Sequence, residues 1–348
     1  MSPYTLTMLL FSLGLGTTLT FMTSHWLLAW MGLEINTLAI LPLMALHHHP
    51  RAVEATTKYF LAQAAAAATI LFASTINAWT TGEWNIYCLS NPTATALITM
   101  ALALKLGLAP THLWMPTVMQ GLNLTTALIL ATWQKLAPLA LIVQMVPLTQ
   151  PQLITTIALL SIIIGGWGGL NQTQLRKIMA YSSIAHLGWM VMIAQFKPQL
   201  TIMTMIIYIF LTATTFLTFK LMAATKINTL SMAWTKAPLI TITAALTLLS
   251  LGGLPPLTGF MPKWLILQEL TTQNLPMTAT IMALSALLSL YFYLRLCYAM
   301  TLTISPNTNN SSTPWRLQTT QNTTLLSMFT TSALMLLPLT PLAQALTN

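Results

Sequence analysis

The chain has 348 residues, of which 55% are hydrophobic and only 5% are charged. This composition excludes an ordinary soluble domain and a disordered chain. The formal net charge is +9 at pH 7, but the basic residues are scattered, without the basic stripe or basic–aromatic alternation typical of nucleic-acid binding. A nucleic-acid partner is therefore not expected.

Eleven apolar segments follow one another along the chain, and several reach the 20 or so residues that cross a hydrocarbon core of about 30 Å. They are residues 3–22, 24–46, 56–77, 92–121, 124–146, 150–171, 176–195, 199–224, 237–271, 275–300 and 324–343. Little sequence remains outside them. We therefore predict an all-α fold, a polytopic transmembrane helix bundle of about eleven crossings in a single domain over residues 1–348.

Two of these segments are too long for a simple crossing. Because a helix rises 1.5 Å per residue, segment 92–121 would be roughly 45 Å long and segment 237–271 roughly 50 Å long. Each contains proline, Pro110 in the first and Pro255-Pro256 in the second, and proline breaks the helical hydrogen-bond ladder. We predict that both are discontinuous helices.

The two breaks share a sequence pattern. GLAPTHLWMP at 107–116 aligns with GLPPLTGFMP at 253–262, at a constant offset of 146 residues. Repeated Gly/Pro-interrupted segments in two halves indicate the ion site of a transporter. Lys105 lies before the break at Pro110, whereas Lys263 lies after the break at Pro255-Pro256. This opposite placement is expected of two halves with inverted orientation. We predict two inverted repeats, each with a discontinuous helix whose freed backbone groups line a wet or protein-buried cavity.

Four charged residues lie near the middle of apolar stretches: Glu34, Lys105, Lys135 and Lys263. A charge near a bilayer midplane costs about 2.5–3.5 kcal/mol on insertion scales, so such residues usually serve a pathway. Because burial disfavours the charged form of lysine, a buried lysine can bind and release a proton. The four residues indicate a membrane carrier of protons or cations. The alternatives are lysines that extend to the interface, and a structural ion pair for Glu34.

The predicted loops differ in charge between the two sides of the membrane. The amino-terminal side carries Arg51, Lys58, Arg176, Lys177, Lys226, Lys236 and Arg316 against one acid, Glu54. By the positive-inside rule the amino terminus faces the compartment of synthesis, and eleven crossings put the carboxyl terminus on the other side. A polar loop at 301–323 falls on the inner side. The amino terminus resembles neither a secretory signal nor a transit peptide, so we expect a protein made inside an organelle.

Other local features predict packing and no chemistry of their own. The three histidines at 47–49 resemble a metal-binding tract, but no carboxylate or cysteine accompanies them, and Cys88 and Cys297 stand far apart outside any CxxC pattern. The alanine run 64–68 and the GGWGG sequence at 165–169 predict close helix packing. We expect neither a metal cluster nor a disulfide framework.

Six motifs, in chain order, resemble those of one membrane-protein family. They read WMGLEINTLAILPL at 30–43, KYFLAQA at 58–64, KLGLAPTHLWMPTVMQGL at 105–122, LATWQKLAPL at 130–139, LRKIMAYSSIAHLGWM at 175–190 and GGLPPLTGFMPKW at 252–264. The family they resemble is NADH-ubiquinone oxidoreductase chain 2, an antiporter-like membrane subunit of mitochondrial respiratory complex I. The resemblance spans nearly the whole chain.

The resemblance implies a proton-translocating subunit of the mitochondrial inner membrane, with its amino terminus on the matrix side and its carboxyl terminus in the intermembrane space. NADH, FMN, iron–sulfur clusters and ubiquinone would be used by other subunits, so no cofactor or metal is expected in this chain. Its partners would be other membrane-arm subunits and membrane lipids. The relay residues would be Glu34, Lys105, Lys135 and Lys263, with His112 and His186 at polar positions of the same motifs. Bacterial relatives usually carry three more helices at the amino terminus, so contacts of those helices are not carried over.

In the mechanism that this resemblance suggests, Lys135 is the central station of the relay. Formation or separation of a Glu34–Lys105 pair changes how tightly Lys135 holds its proton and pushes that proton toward Lys263. Redox chemistry in other subunits supplies the energy. Two alternatives stay open: a freestanding sodium/proton antiporter, which shares this fold, and a non-pumping scaffold that only joins neighbouring subunits.

Overall fold

A computed structural model describes residues 2–46, 49–302, 323–339 and 345 of the chain. Nearly all of the polar loop predicted at 301–323, and two of the three histidines at 47–49, lie outside these ranges. For Thr235, Lys236 and Leu339 only the backbone is described.

The described chain is built from α-helices, and each of the eleven predicted apolar segments contains at least one. The helices are α1 Pro3–Met22, α2 Trp26–Met44, α3 Pro50–Thr81, α4 Pro92–Leu106, α5 Trp114–Gly121, α6 Leu124–Thr132, α7 Leu136–Met145, α8 Pro151–Gly169, α9 Leu175–Ala194, α10 Pro198–Leu221, α11 Ile227–Ser231, α12 Ala233–Lys236, α13 Pro238–Gly252, α14 Phe260–Thr272, α15 Pro276–Thr301 and α16 Thr324–Met335. Short 3-10 turns cover Trp133–Lys135, Val146–Leu148 and Leu337–Leu339. The predicted all-α fold class is confirmed.

Seven helical stretches in the described ranges are long and apolar enough to cross a membrane. They are Pro3–Met22, Trp26–Met44, Pro50–Thr81, Leu124–Leu148, Pro151–Gly169, Pro198–Leu221 and Pro276–Thr301. Three shorter apolar helices are α4, α13 and α16. Two of these three are halves of the predicted discontinuous helices, so a break is what shortens them.

Proline has two different positions in these helices. Seven helices begin at a proline, namely α1, α3, α4, α8, α10, α13 and α15. There its missing N–H is harmless, because the first N–H groups of a helix have no intrahelical acceptor. The side chains of Ser2 and Asn91 accept backbone N–H groups at the starts of α1 and α4, which completes those caps. Inside the apolar segments, Pro110 and Pro255–Pro256 lie at the two breaks, whereas Pro42 lies within α2 without ending it.

The chain divides into two compact units, Met1–Ile164 with Ser183–Pro198, and Gly165–Ser182 with Gln199–Asn348. Each unit contains one discontinuous helix: α4 and α5 in the first unit, α13 and α14 in the second. The prediction of a single domain over the whole chain stays a prediction.

The two breaks have the same backbone geometry at the offset of 146 residues. Helix α4 ends at Gly107 with φ 77°, and α13 ends at Gly253 with φ 82°. Glycine adopts this left-handed conformation at little steric cost. Each break also contains a cis peptide bond before proline, Ala109–Pro110 and Pro255–Pro256. The predicted repeat of two discontinuous helices is therefore confirmed in the backbone.

Glycines allow the close helix packing that the sequence predicts. In the second unit, an added Cβ on Gly166 would lie 2.8 Å from the Leu288 side chain, and one on Gly169 would lie 2.8 Å from the Phe292 ring. In the first unit, helices α1 and α2 meet at Gly16 and Gly32. A Cβ on Gly16 would lie 2.8 Å from the Gly32 carbonyl oxygen, a backbone atom that cannot rotate away.

Replacement of Gly16 with alanine should therefore destabilise the α1–α2 contact. Overpacking of this kind typically costs about 1–3 kcal/mol. Gly14 on the same helix is the matched control, because a Cβ there meets no atom within 4 Å. Since alanine favours helix over glycine, Gly14→Ala should leave stability unchanged or slightly higher. Thermal unfolding of the detergent-solubilised protein measures both variants, and equal effects would contradict the α1–α2 packing described.

Candidate functional site

Two of the predicted relay lysines line one cavity in the first unit. Lys105 lies in the last turn of α4 and is 5% exposed, and Lys135 lies in the 3-10 turn after α6 and is 2% exposed. Polar side chains of Asn36, Gln63 and Gln134 also line the cavity. The centre of a water molecule can occupy about 10 Å³ of it, which is room for about one water.

Lys135 is presented by an interruption of its helix that the sequence analysis missed. The turn Trp133–Lys135 is 3-10 in form, between α6 and α7. Pro138 has no N–H to donate to the carbonyl of Gln134, so the regular ladder cannot continue through this point. Two neighbouring side chains hold the turn: Trp133 Nε1 donates to the Leu13 carbonyl at 3.4 Å, and Gln134 Nε2 donates to the Asn36 carbonyl at 3.2 Å. The proline three residues beyond Lys135 was the available signal.

Glu34 and Lys105 interact electrostatically but do not form a close ion pair. Lys105 Nζ and Glu34 Oε2 are both buried, and neither has a hydrogen-bond partner within the described ranges. A close ion pair does form between the exposed residues Lys58 and Glu54. The structure thus corresponds to the separated arrangement of Glu34 and Lys105.

Asn36 belongs to the site although the sequence analysis did not single it out. The residue is 2% exposed, and both its Oδ1 and its Nδ2 lack a hydrogen-bond partner among the residues described. An unsatisfied buried polar group costs about 1–3 kcal/mol. Its position two residues after Glu34, as a polar residue inside an apolar helix, was a signal that could have identified it.

Lys263 lies at the second break. It is in the first turn of α14, half-buried, and its Nζ donates to the carbonyls of Gly252 at 2.7 Å and Leu251 at 3.4 Å. These carbonyls end α13 and have no intrahelical donor. The negative end of the helix dipole also favours a cation there.

The two predicted histidines lie outside the lining of the lysine cavity. His112 is within the break between α4 and α5, is 8% exposed, and has its Nδ1 3.3 Å from the Pro110 carbonyl oxygen. His186 is half-buried on α9. In the part of the chain that the structure describes, no group of three or more His, Cys, Asp or Glu residues is placed to hold a metal ion.

The sequence matches two described families. Residues 23–289 match the family described as NADH:quinone oxidoreductase/Mrp antiporter, TM, and residues 290–344 match NADH dehydrogenase subunit 2 C-terminus. The chain is 70% identical over 346 residues to NADH-ubiquinone oxidoreductase chain 2 of Formosania lacustris, which covers 99% of each chain. It is 67% identical to the protein of the same name from Cyprinus carpio over 348 residues, the full length of both.

Solved structures share the fold. A chain of respiratory complex I from Thermus thermophilus with bound aureothin superposes with a TM-score of 0.86 at 26% identity, covering 99% of this chain and 80% of that one. A chain of the Mrp complex from Dietzia superposes with a TM-score of 0.80 at 15% identity, covering 97% and 75%. The latter likeness shows a common fold alone.

The unpartnered amide of Asn36 generates a prediction in which stability and function move in opposite directions. Asn36→Leu replaces the buried unsatisfied amide with an apolar side chain of the same branched shape, so the melting temperature should be unchanged or higher. If the amide serves the lysine cavity, proton transport should fall in the same variant. Asn77→Leu is the control: Asn77 Oδ1 is also unpartnered in the described chain, but its Nδ2 donates to the Cys88 carbonyl at 3.2 Å and to Thr81 Oγ1 at 3.4 Å, so this variant loses hydrogen bonds that Asn36→Leu does not. The melting temperature of Asn77→Leu should fall below that of the wild type. A fall in the melting temperature of Asn36→Leu as well would contradict the prediction.

Proposed function

The chain belongs to the NADH-ubiquinone oxidoreductase chain 2 family, and from this premise we propose that it carries protons across the mitochondrial inner membrane. It does so as a membrane-arm subunit of the H⁺-translocating NADH:ubiquinone reductase, with other membrane-arm subunits and lipids as partners. It has no redox centre of its own; NADH, FMN, iron–sulfur clusters and ubiquinone are used by other subunits.

The observation that carries this proposal is the polar cavity shared by Lys105 and Lys135. Two ammonium groups that face one buried cavity repel each other, so a proton on one lysine weakens the hold of the other on its own proton. Asn36, Gln63 and Gln134 surround them with amide groups, which orient water without titrating. Such a cavity can pass a proton between the lysines.

Glu34 sets the direction of transfer. When its carboxylate approaches Lys105, the pair is nearly neutral and Lys135 holds a proton more tightly. When the two separate, as in this structure, the Lys105 charge acts on Lys135 and drives its proton onward to Lys263. His112 and His186 are secondary members of the path. Coupling to redox chemistry elsewhere needs a two-state element, and the discontinuous helices are our candidates.

Replacement of Lys135 tests the relay in the assembled complex. Lys135→Met should reduce the protons moved per NADH oxidised, because the central station can no longer take up a proton, while a native gel shows normal assembly. Lys58→Met is the control, since Lys58 is an exposed partner of Glu54 and should not alter the ratio. An unchanged ratio in Lys135→Met would favour a non-pumping scaffold, and sodium-dependent proton flux from the isolated chain would favour a freestanding antiporter.

The proposed orientation has the amino terminus in the matrix and the carboxyl terminus in the intermembrane space, and it puts the α3–α4 loop on the intermembrane side. Cys88 in that loop is exposed, whereas Cys297 is buried in α15. A hydrogen bond to the Glu83 carboxylate, together with its negative charge, raises the pKa of the Cys88 thiol. Since the thiolate is the reactive form, alkylation of Cys88 should be slow at neutral pH and faster as the pH rises.

A membrane-impermeant maleimide added to mitoplasts at alkaline pH should therefore label Cys88 and leave Cys297 unmodified. Glu83→Gln should speed the labelling of Cys88 at neutral pH, because it removes the negative charge. Labelling of Cys88 only after the inner membrane is opened would reverse the orientation.

A further inference from the structure

We infer that one face of α3, made by Tyr59 and Gln63, is a positioning element for Lys105. This face, called here the capping face, supports the donors that satisfy carbonyls at the end of α4, and so fixes the turn from which the Lys105 side chain enters the cavity. The inference rests on the proposed function of Lys105 in proton transfer.

The carbonyls released by the break in α4 have identifiable donors. Backbone N–H groups reach the earlier ones: Leu108 donates to the Ala103 carbonyl at 2.9 Å, and Gly107 donates to the Leu104 carbonyl at 3.1 Å. This is the usual capping of a helix that ends in a left-handed glycine. The carbonyl of Lys105 itself is beyond the reach of this backbone motif.

Side chains complete the cap, and both are neutral. Gln63 Nε2 donates to the Lys105 carbonyl at 3.4 Å, and Trp114 Nε1 donates to the Leu104 carbonyl at 2.9 Å. Tyr59 packs edge-on against the Trp114 ring, with the ring centres 5.7 Å apart. Tyr59 and Gln63 are four residues apart and therefore lie on the same face of α3. All three residues line the lysine cavity.

At the second break, the corresponding carbonyls are capped by a charged side chain. The backbone bonds are repeated, with Leu254 donating to the Leu249 carbonyl and Gly253 to the Ser250 carbonyl. Leu251 is the counterpart of Lys105 at the offset of 146, and its carbonyl accepts from the Lys263 ammonium, as does that of Gly252. At this break a cation is bound to the helix end.

The comparison assigns a role to the neutral donors of the first break. A helix end offers carbonyl acceptors and a favourable dipole to any nearby ammonium. In the first unit Gln63 and Trp114 occupy those acceptors, and Lys105 Nζ has no hydrogen-bond partner among the residues described. Lys263 reaches its carbonyls from the following helix, at the position that corresponds to Thr117, whereas Lys105 is part of the helix that ends. The capping face therefore fixes the last turn of α4, from which the Lys105 side chain enters the cavity that it shares with Lys135.

Gln63→Met tests the inference in the assembled complex, since methionine has a similar size and no N–H donor. Protons moved per NADH should fall to the level of Lys105→Met, with normal assembly on a native gel. The double variant Gln63→Met/Lys105→Met should pump no less than Lys105→Met alone, because Gln63 acts through Lys105. A purely structural role would give additive losses instead. The matched control is Gln195→Met, which removes a glutamine-to-carbonyl bond of the same type, to Pro151 at 3.1 Å, away from the cavity.

Three results would each overturn the positioning role. They are a wild-type number of protons per NADH in Gln63→Met, additive losses of pumping in the double variant, and an equal loss of pumping in Gln195→Met. If Lys105→Met itself leaves the ratio unchanged, the proposed function of Lys105 fails and the inference fails with it. Should Gln63→Met not assemble, Trp114→Phe takes its place, since it keeps an aromatic ring beside Tyr59 and removes the N–H donor together with one ring of the indole. Trp114→Phe should then lower the protons moved per NADH, and its combination with Lys105→Met should pump no less than Lys105→Met alone. Additive losses in that double variant would again overturn the inference.

Discussion

A backbone carbonyl released from a helix within a membrane has to find its donor in the protein, because hydrocarbon offers none. Both discontinuous helices meet this constraint first with a left-handed glycine, Gly107 or Gly253, which returns backbone N–H groups to the last full turn. The remaining carbonyls need side chains. The first unit uses Gln63 and Trp114, and the second uses Lys263.

This choice of donor gives two lysines different chemical surroundings on the same backbone plan. Lys263 is part of the cap at its break, so its ammonium has carbonyl partners. Lys105 is buried at the end of α4 without a hydrogen-bond partner in the described chain, and shares a cavity with Lys135. A repeat of sequence and backbone therefore does not make the two halves chemically equivalent. Neutral side chains cap the end of α4 and a lysine caps the end of α13. Both satisfy the carbonyls at a break, but they have different consequences for proton transfer.

The cavity and the adjoining turn of α2 contain groups that a sequence selected for stability alone would avoid. Glu34, Asn36 and Lys105 all have buried polar atoms without partners in the described part of the protein, and each such group is destabilising. Sequences depart from full polar satisfaction mainly at functional sites. Around this cavity the packing is otherwise dense, with Leu33, Leu106 and Met115 nearly inaccessible in its walls. Asn36 and Lys105 bring unsatisfied groups to the cavity through which a proton would pass, although Thr23, Trp26, Asn77 and Gln144 have such atoms elsewhere in the described chain.

The sequence by itself determined the helices and the two breaks, because these depend on backbone groups only a few residues apart. The offset of 146 residues predicted that the breaks would match, and the two halves end at corresponding glycines. The same local reasoning identified the buried charges, since apolar neighbours in sequence are enough to reveal them.

Only the tertiary structure decided which side chains meet at the site. Gln63 reaches a carbonyl 42 residues away, and Gln134 reaches one 98 residues away. No local pattern contains such contacts, because they follow from how α2, α3, α4 and the 3-10 turn at Lys135 pack together. The separation of Glu34 from Lys105 is decided in the same way. Helix ends are set by nearby backbone chemistry, whereas a cavity between helices is set by the packing of elements far apart in the chain.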